Sequence, residues 1–507
     1  MRCHAQSTIV LSIALLMLVP SAAVAQKPAA KNKSAGAQGR RASRPAPAAG
    51  NYTRDELVVT IIKEVSPEHV QATIEKLVSF GTRHTLSVNN PGAESSDKGI
   101  VAARNWIKSE FERYSAACGG CLEVKTDTFL QDPTPNKRVA APTELQNVYA
   151  ILRGTDPAQS KRIYLVTGHY DSRNSDEMNS TDAAPGANDD GSGTAVSLEC
   201  ARVMSKHRFP ATIIFLTVAG EEQGLLGSTH FAKMAKEQGW QLEGVLNNDI
   251  VGGNRTPGDT LQNPNWVRVF SEGVPAAATE ADLRRIRSLG GENDSTSRQL
   301  ARYILDVNQG YTIFGQFTAK PIFRRDRYLR GGDHSAFNEQ GFAAVRFTEY
   351  REDFHHQHQT VRTEKGIEYG DLPKFVNFNY VANVARLNAA VLASLALSPA
   401  PPAKVRLSTR GLENDSKIDW EPSPGAKYYE VLWRKTTDPF FPEENVTRTS
   451  VPKVDLQESK DNVIFGVRTV DAKGHRSLIV IPEPERAGSP ALEQQKPADK
   501  EKTEKEK

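Results

Sequence analysis

Apolar residues along the chain follow two different spacings. In residues 55–80 and 101–114 they recur at intervals of three and four, which predicts amphipathic helices. Downstream, short and continuous apolar runs such as 163–168 and 212–219 alternate with helical segments. Parallel strands that are buried on both faces are continuously apolar in this way. The pattern therefore predicts βαβ units and an α/β fold, with a mainly parallel central sheet flanked by helices.

The pattern changes after residue 396. A proline-rich segment over residues 397–403 is predicted to be a linker, and shorter runs with alternating polarity follow it, as in Tyr429, Val431 and Trp433. Alternation is typical of strands that have one buried face, and a length of roughly 80 residues suits one small sandwich. We predict a small all-β sandwich domain over residues 404–485, which resembles a fibronectin type III domain.

The two ends of the chain differ from the rest. Residues 1–25 contain an apolar stretch followed by Ala23-Val24-Ala25, the pattern of a cleaved secretory signal peptide. That stretch is too short to span a bilayer, and we expect no membrane span elsewhere, so the protein should be secreted or periplasmic. Residues 26–50 are rich in Ala, Pro, Lys and Ser and are predicted to be a disordered linker, and residues 486–507 are rich in Glu, Lys and Pro and are predicted to be a disordered charged tail.

Composition narrows the possible partners. The formal net charge of +3 is small for 507 residues, and the basic residues are spread along the chain. Composition therefore does not indicate nucleic-acid binding. Cys118 and Cys121 are predicted to form a local disulfide, because disulfides persist in an oxidising compartment. The sequence gives no indication of the oligomeric state.

Acidic residues and histidines follow the ends of successive apolar runs. They are His169 and Asp171, Asp189 in a Gly-rich loop, the adjacent Glu221 and Glu222, Asp249, and far downstream His355, His356 and His358. Parallel strands bring their carboxyl ends to one edge of a sheet, so these side chains should meet there. Two zinc ions about 3.5–4 Å apart need one bridging carboxylate and further ligands on each side. The set fills that requirement and leaves Glu221 as a base that is not a ligand.

Four strings carry a family resemblance: Gly168-His169-Tyr170-Asp171-Ser172, the Gly-rich loop 186–193, the Glu-Glu string 219–228 and Asn248-Asp249-Ile250-Val251-Gly252. Together they resemble the secreted two-zinc aminopeptidases, a metallopeptidase family with carboxypeptidase-like and glutaminyl-cyclase members. The resemblance covers the domain predicted over residues 51–396. It implies two bound Zn²⁺ ions and hydrolysis of N-terminal residues from peptide substrates.

The resemblance also implies a role for each matching residue. His169 and Asp249 would bind the first zinc ion, Glu222 and a late histidine the second, Asp189 would bridge both, Glu221 would be the general base, and Asp171 would orient His169. We favour His356 as the late ligand, with His355 and His358 as alternatives. In the family the bond that corresponds to Asp189–Asp190 is often cis. His334, Arg330 and Tyr350 are predicted to line the substrate pocket.

Other functions fit parts of the same pattern. A carboxypeptidase or dipeptidase would use the same ligands, and a glutaminyl cyclase-like acyltransferase on this fold would typically hold one zinc ion. A non-catalytic, metal-stabilised binding protein would make the sandwich its working part. The complete ligand set with its unliganded base argues against the binding protein, and His169 as a ligand argues against the cyclase. We favour the aminopeptidase, with the carboxypeptidase and the dipeptidase as open alternatives and the sandwich as a non-catalytic spacer or binding module.

Overall fold

The computed structural model describes residues 54–93, 97–253, 258–311 and 315–485. The predicted signal peptide, the linker over residues 26–50 and the charged tail over residues 486–507 lie outside the described residues.

A mixed sheet, eight-stranded within the described part of the chain, forms the centre of the molecule. Its strands are β1 (Leu122–Gln131), β2 (Thr143–Leu152), β3 (Arg162–His169), β4 (Thr212–Val218), β5 (Gln241–Asn248), β6 (Trp266–Ser271), β7 (Thr318–Ile322) and β8 (Ala344–Glu349). They lie in the order β1-β2-β4-β3-β5-β8-β6-β7. The four central strands, β4, β3, β5 and β8, are parallel. This architecture confirms the predicted α/β fold.

Helices cover both faces of this sheet. They are α1 (Glu56–Glu64), α2 (Pro67–Ser79), α3 (Gly99–Ala117), α4 (Gly191–Met204), α5 (Leu226–Glu237), α6 (Glu280–Leu289), α7 (Thr296–Gly310), α8 (His334–Glu339) and α9 (Phe378–Leu397). The helical pattern of residues 55–80 divides into α1 and α2, because Ser66 caps a new helix and Pro67 occupies its first turn. The predicted disulfide is confirmed between Cys118 and Cys121.

Helix α9 bears on the expectation that no segment spans a membrane. It has 20 residues and is apolar enough to cross a membrane by length and composition. Its apolar window is 83% buried inside the protein, however. It packs against α1, α4 and β3 and therefore belongs to the main hydrophobic core.

The C-terminal part consists of two small sheets that pack face to face around a core of their own, which includes Trp420, Val431 and Val467. One sheet contains β11 (Ala403–Leu407), β12 (Ser416–Glu421), β15 (Lys453–Leu456) and β17 (Glu483–Pro484); the other contains β13 (Tyr428–Lys435), β14 (Val446–Thr449) and β16 (Val463–Val470). The short pair β9 (Arg362–Glu364) and β10 (Ile367–Tyr369) lies outside both. The β-sandwich is as expected, and its assignment to the fibronectin type III family stays a prediction.

Candidate metal centre

The strand ends bring the predicted side chains together at one edge of the central sheet. His169 is the last residue of β3, the two glutamates follow the end of β4, and Asp249 follows the end of β5. Potential ligand atoms form two clusters, each within 4.8 Å: His169, Glu221 and Asp249 in one, and Asp189, Glu222 and His358 in the other. We call them the first and the second metal group.

Asp189 lies between the two groups. Its Oδ1 is 3.2 Å from Nε2 of His169 in the first group, and its Oδ2 is 2.9 Å from Nε2 of His358 in the second. One carboxylate that faces both groups is the geometry that a bridging ligand requires.

Two buried residues that the sequence analysis missed hold the loop of Asp189 in place. Asp371 accepts a hydrogen bond of 2.7 Å from the backbone N–H of Asp189. The guanidinium of Arg83 donates to the carbonyls of Tyr170 and Pro185, and also to that of Gly186, so it ties this loop to the end of β3. The peptide bond Asp189–Asp190 is cis, as the family resemblance implied.

Asp171 organises the turn that carries the two glutamates. It accepts hydrogen bonds of 3.2 Å from the backbone N–H groups of both Glu221 and Glu222. Its Oδ1 also lies 3.4 Å from Nδ1 of His169. An acceptor at Nδ1 fixes the tautomer that leaves Nε2 free to bind a metal ion.

The donor set fits zinc. Nε2 of His169 and Oε1 of Glu222 are buried; among the described residues each has a charged neighbour, Oδ1 of Asp189 at 3.2 Å and Nε2 of His358 at 3.0 Å, but neither contact has the geometry of a hydrogen bond. A buried polar atom without a partner is costly unless another ligand satisfies it. Imidazole nitrogen and carboxylate oxygen are the atoms that zinc binds in such sites.

The structure places His358, and not the favoured His356, in the second group. Nε2 of His358 is 3.0 Å from Oε1 of Glu222. His356 instead stacks its ring on Phe375 at 3.6 Å and points Nδ1 at Asp353, 3.0 Å away. The two histidines differ in local backbone: the N–H of His356 donates to the carbonyl of Asp353 within the turn over residues 354–358, whereas His358 adopts a left-handed conformation with φ 55°.

Concentrated charge perturbs the titration of the site. Burial lowers the pKa of His358, but the facing carboxylates of Glu222 and Asp189 outweigh it and raise the pKa to about 10. Burial raises the pKa of Glu221 well above its usual range; His169 opposes this shift and neighbouring carboxylates add to it. The site therefore gathers more negative charge than its own residues neutralise, which favours binding of cations.

Two arginines that the sequence analysis also missed approach the groups. Nη2 of the fully buried Arg346 lies 2.9 Å from Oδ1 of Asp249, and Nε of Arg173 lies 3.3 Å from Oε2 of Glu222. Arg346 lies between the apolar Val345 and Phe347 in the buried strand β8, and a charged residue between two such neighbours was the signal that could have indicated it.

The three predicted pocket residues have different surroundings. His334 is buried and bonds the carbonyl of Arg325 at 2.9 Å, and burial lowers its pKa to about 4, so the structure does not place it on a pocket surface. Arg330 pairs with Glu352 at 2.8 Å. Tyr350 packs edge-on against the ring of Trp266, and the role of these two residues in a substrate pocket stays a prediction.

The central sheet is flanked by helices, and two groups of histidine and carboxylate side chains lie at the carboxyl ends of its parallel strands. This is the arrangement of a zinc metallopeptidase. Comparison with known proteins agrees: the profile of peptidase family M28 matches residues 147–372. A probable zinc metalloprotease of Pyrenophora teres f. teres is 44% identical over 435 residues, which is 85% of this chain and 87% of the relative. One from Pyricularia oryzae is 44% identical over 434 residues, 83% of each chain. The chain belongs to peptidase family M28.

Among solved structures, the LapA aminopeptidase of Legionella pneumophila is similar over 70% of this chain and 78% of its own, with 21% identity and a TM-score of 0.47. The aminopeptidase from Aneurinibacillus sp. strain AM-1 is similar over 66% of this chain and 95% of its own, with 16% identity and a TM-score of 0.43.

Proposed function

We propose that the protein is a secreted aminopeptidase that uses two zinc ions to remove N-terminal residues from peptides. The position of Asp189 carries this proposal, because its two oxygens lie 3.2 Å from His169 and 2.9 Å from His358 and thus serve both metal groups. His169 and Asp249 would hold one ion, Glu222 and His358 the other, and Asp189 both. When bound, the ions would acidify water and polarise the scissile carbonyl.

Glu221 is the proposed general base and acid. Its Oε2 is 4.0 Å from Nε2 of His169, and its side chain is 15% exposed, compared with 4% for Glu222 and 4% for Asp249. The most open carboxylate of the cluster is the one that water and substrate can reach. It would take a proton from the attacking water and pass it to the leaving amine.

Secretion is part of the proposal and has two supports. Residues 1–25 carry the pattern of a signal peptide, and Cys118 and Cys121 form a disulfide, which suits an oxidising compartment. Mass spectrometry of the mature N-terminus, after expression in a secreting host, would locate the cleavage site; an uncleaved chain that stays inside the cells would contradict secretion.

The catalytic proposal is tested by Glu221→Gln, with Glu222→Gln as its matched neighbour. We expect Glu221→Gln to keep its zinc and to lose about 10²–10⁴-fold in kcat, the usual contribution of a general base. Glu222→Gln should lose zinc as well as activity. Zinc content and hydrolysis of leucine p-nitroanilide are measured on both variants, and near-wild-type turnover by Glu221→Gln would refute the assignment of the base.

A further inference from the structure

Two arginines lie side by side next to the second metal group. Arg173 follows the end of β3, and Arg138 comes from the connection between β1 and β2. Both approach the same oxygen, Oε2 of Glu177: Nη2 of Arg138 at 2.8 Å and Nη1 of Arg173 at 3.4 Å. We call them the arginine pair.

The arginine pair also reaches the metal group itself. Arg138 donates from Nη1 to the backbone carbonyl of Glu222 at 3.3 Å. Arg173 places Nε at 3.3 Å from Oε2 of Glu222 and Nη2 at 2.8 Å from Nδ1 of His358. A ligand bound by the arginine pair would therefore lie next to the second metal group.

The pair lies on the solvent side of the centre. The side chain of His169 is fully buried, whereas that of His358 is 25% exposed. The side chain of Arg173 is 18% exposed and that of Arg138, the most exposed of the four, is 37% exposed. A substrate that enters from this side meets the pair beside the second metal group.

The charges of the pair are not balanced once Glu222 serves as a ligand. The two guanidiniums then share the single carboxylate of Glu177. In addition, a histidine that gives its Nε2 lone pair to a cation carries its proton on Nδ1, so Arg173 Nη2 loses its acceptor on His358. One positive charge and several N–H donors remain, and a guanidinium fork matches a carboxylate in charge and shape.

We propose that Arg173 and Arg138 bind the C-terminal carboxylate of the substrate, so that the enzyme acts on dipeptides and tripeptides with a free C-terminus. This inference rests on the proposed peptidase function and names its substrate class. One extended residue spans about 3.3–3.6 Å. Because Arg173 contacts His358 directly, only one or two residues fit between the scissile carbonyl and a carboxylate held by the pair.

The test compares Leu-Gly with its C-terminal amide, which differs only in lacking the negative charge. For the zinc-loaded wild-type enzyme we expect kcat/KM to favour the free acid by about tenfold or more, as for a charge-assisted hydrogen bond. Arg173→Gln and Arg138→Gln should each bring this ratio towards one, mainly through KM. Arg153→Gln, which removes an arginine bonded to Glu123 on the far edge strand, is the matched control and should keep the ratio.

The outcomes distinguish a failure of this inference from a failure of the proposed peptidase function. If the wild-type enzyme does not prefer the free acid, or if both variants of the arginine pair keep the wild-type ratio with zinc content unchanged, the assignment of the pair is overturned. Zinc-dependent hydrolysis of leucine p-nitroanilide, which has no carboxylate, tests the peptidase function separately. If the wild-type enzyme cleaves neither the anilide nor the dipeptide, both proposals fail.

Discussion

Arg434 joins the C-terminal sandwich to the peptidase domain through a buried ion pair with Asp294. Its Nη2 lies 2.7 Å from both carboxylate oxygens, and the two side chains are only 2% and 4% exposed. Asp294 also accepts a bond of 3.0 Å from Nη1 of Arg302. We consider the substitution Arg434→Met, which replaces the arginine with an unbranched apolar side chain and so removes the charge.

The expected cost follows from what the variant leaves behind. Removing one partner of a buried ion pair costs about 3–5 kcal/mol, because the other charge loses its compensation. Asp294 would still be held by Arg302, so we expect Arg434→Met to lower the free energy of unfolding by about 2–3 kcal/mol. Asp294→Asn should cost more, about 4 kcal/mol, because it leaves two buried guanidiniums without an anion between them.

Urea unfolding followed by tryptophan fluorescence measures these costs, since the sandwich contains Trp420 and Trp433 and the peptidase domain contains further tryptophans. Arg285→Met is the control, because Arg285 also joins the two parts through Glu483 but is 38% exposed. It should change the free energy by less than about 1 kcal/mol. A loss below about 0.5 kcal/mol for Arg434→Met, or a smaller loss for Asp294→Asn than for Arg434→Met, would refute the reasoning.

The remaining predictions concern histidines and metal. His358→Ala should lose one zinc ion and nearly all activity, whereas His356→Ala should keep both ions; equal zinc loss in the two variants, measured by plasma mass spectrometry, would contradict this. Burial lowers the pKa of His475, but bonds to Asp471 and Asp55 outweigh it and raise the pKa above its usual value. The stabilisation is therefore complete below about pH 6.5 and is lost as pH rises through the folded-state pKa. The difference in unfolding free energy between wild type and His475→Asn should shrink from about pH 6 to pH 9, and an unchanged difference would count against it. Phenanthroline should stop peptide hydrolysis and added zinc should restore it; full activity in the chelator would exclude a zinc-dependent reaction.

The central strands could be predicted from sequence because burial on both faces leaves a continuous apolar run, as in β3 and β4. The edge strand β1 was not predicted, since it has no continuous apolar run: only its first residue, Leu122, is buried, and Leu130 is 66% exposed. The length and apolarity of helix α9 alone do not distinguish a core helix from a membrane span.

The residues of the metal centre also differ in whether the sequence could predict them. Residues fixed by a strand end, such as His169 and Asp249, were predictable because the strand determines their position. The late histidine was not, because a turn over residues 354–358 that ends in a left-handed residue decides which ring faces Glu222. Arg83 and Asp371 were also missed, since each reaches the loop of Asp189 from a distant part of the sequence.

The most direct test of the two-zinc centre is anomalous diffraction at the zinc edge from crystals of the zinc-loaded protein. The account predicts two peaks about 3.5–4 Å apart, on either side of Asp189, with His169 and Asp249 bound to one and Glu222 and His358 to the other. A single peak, or a peak bound by His356 in place of His358, would contradict it.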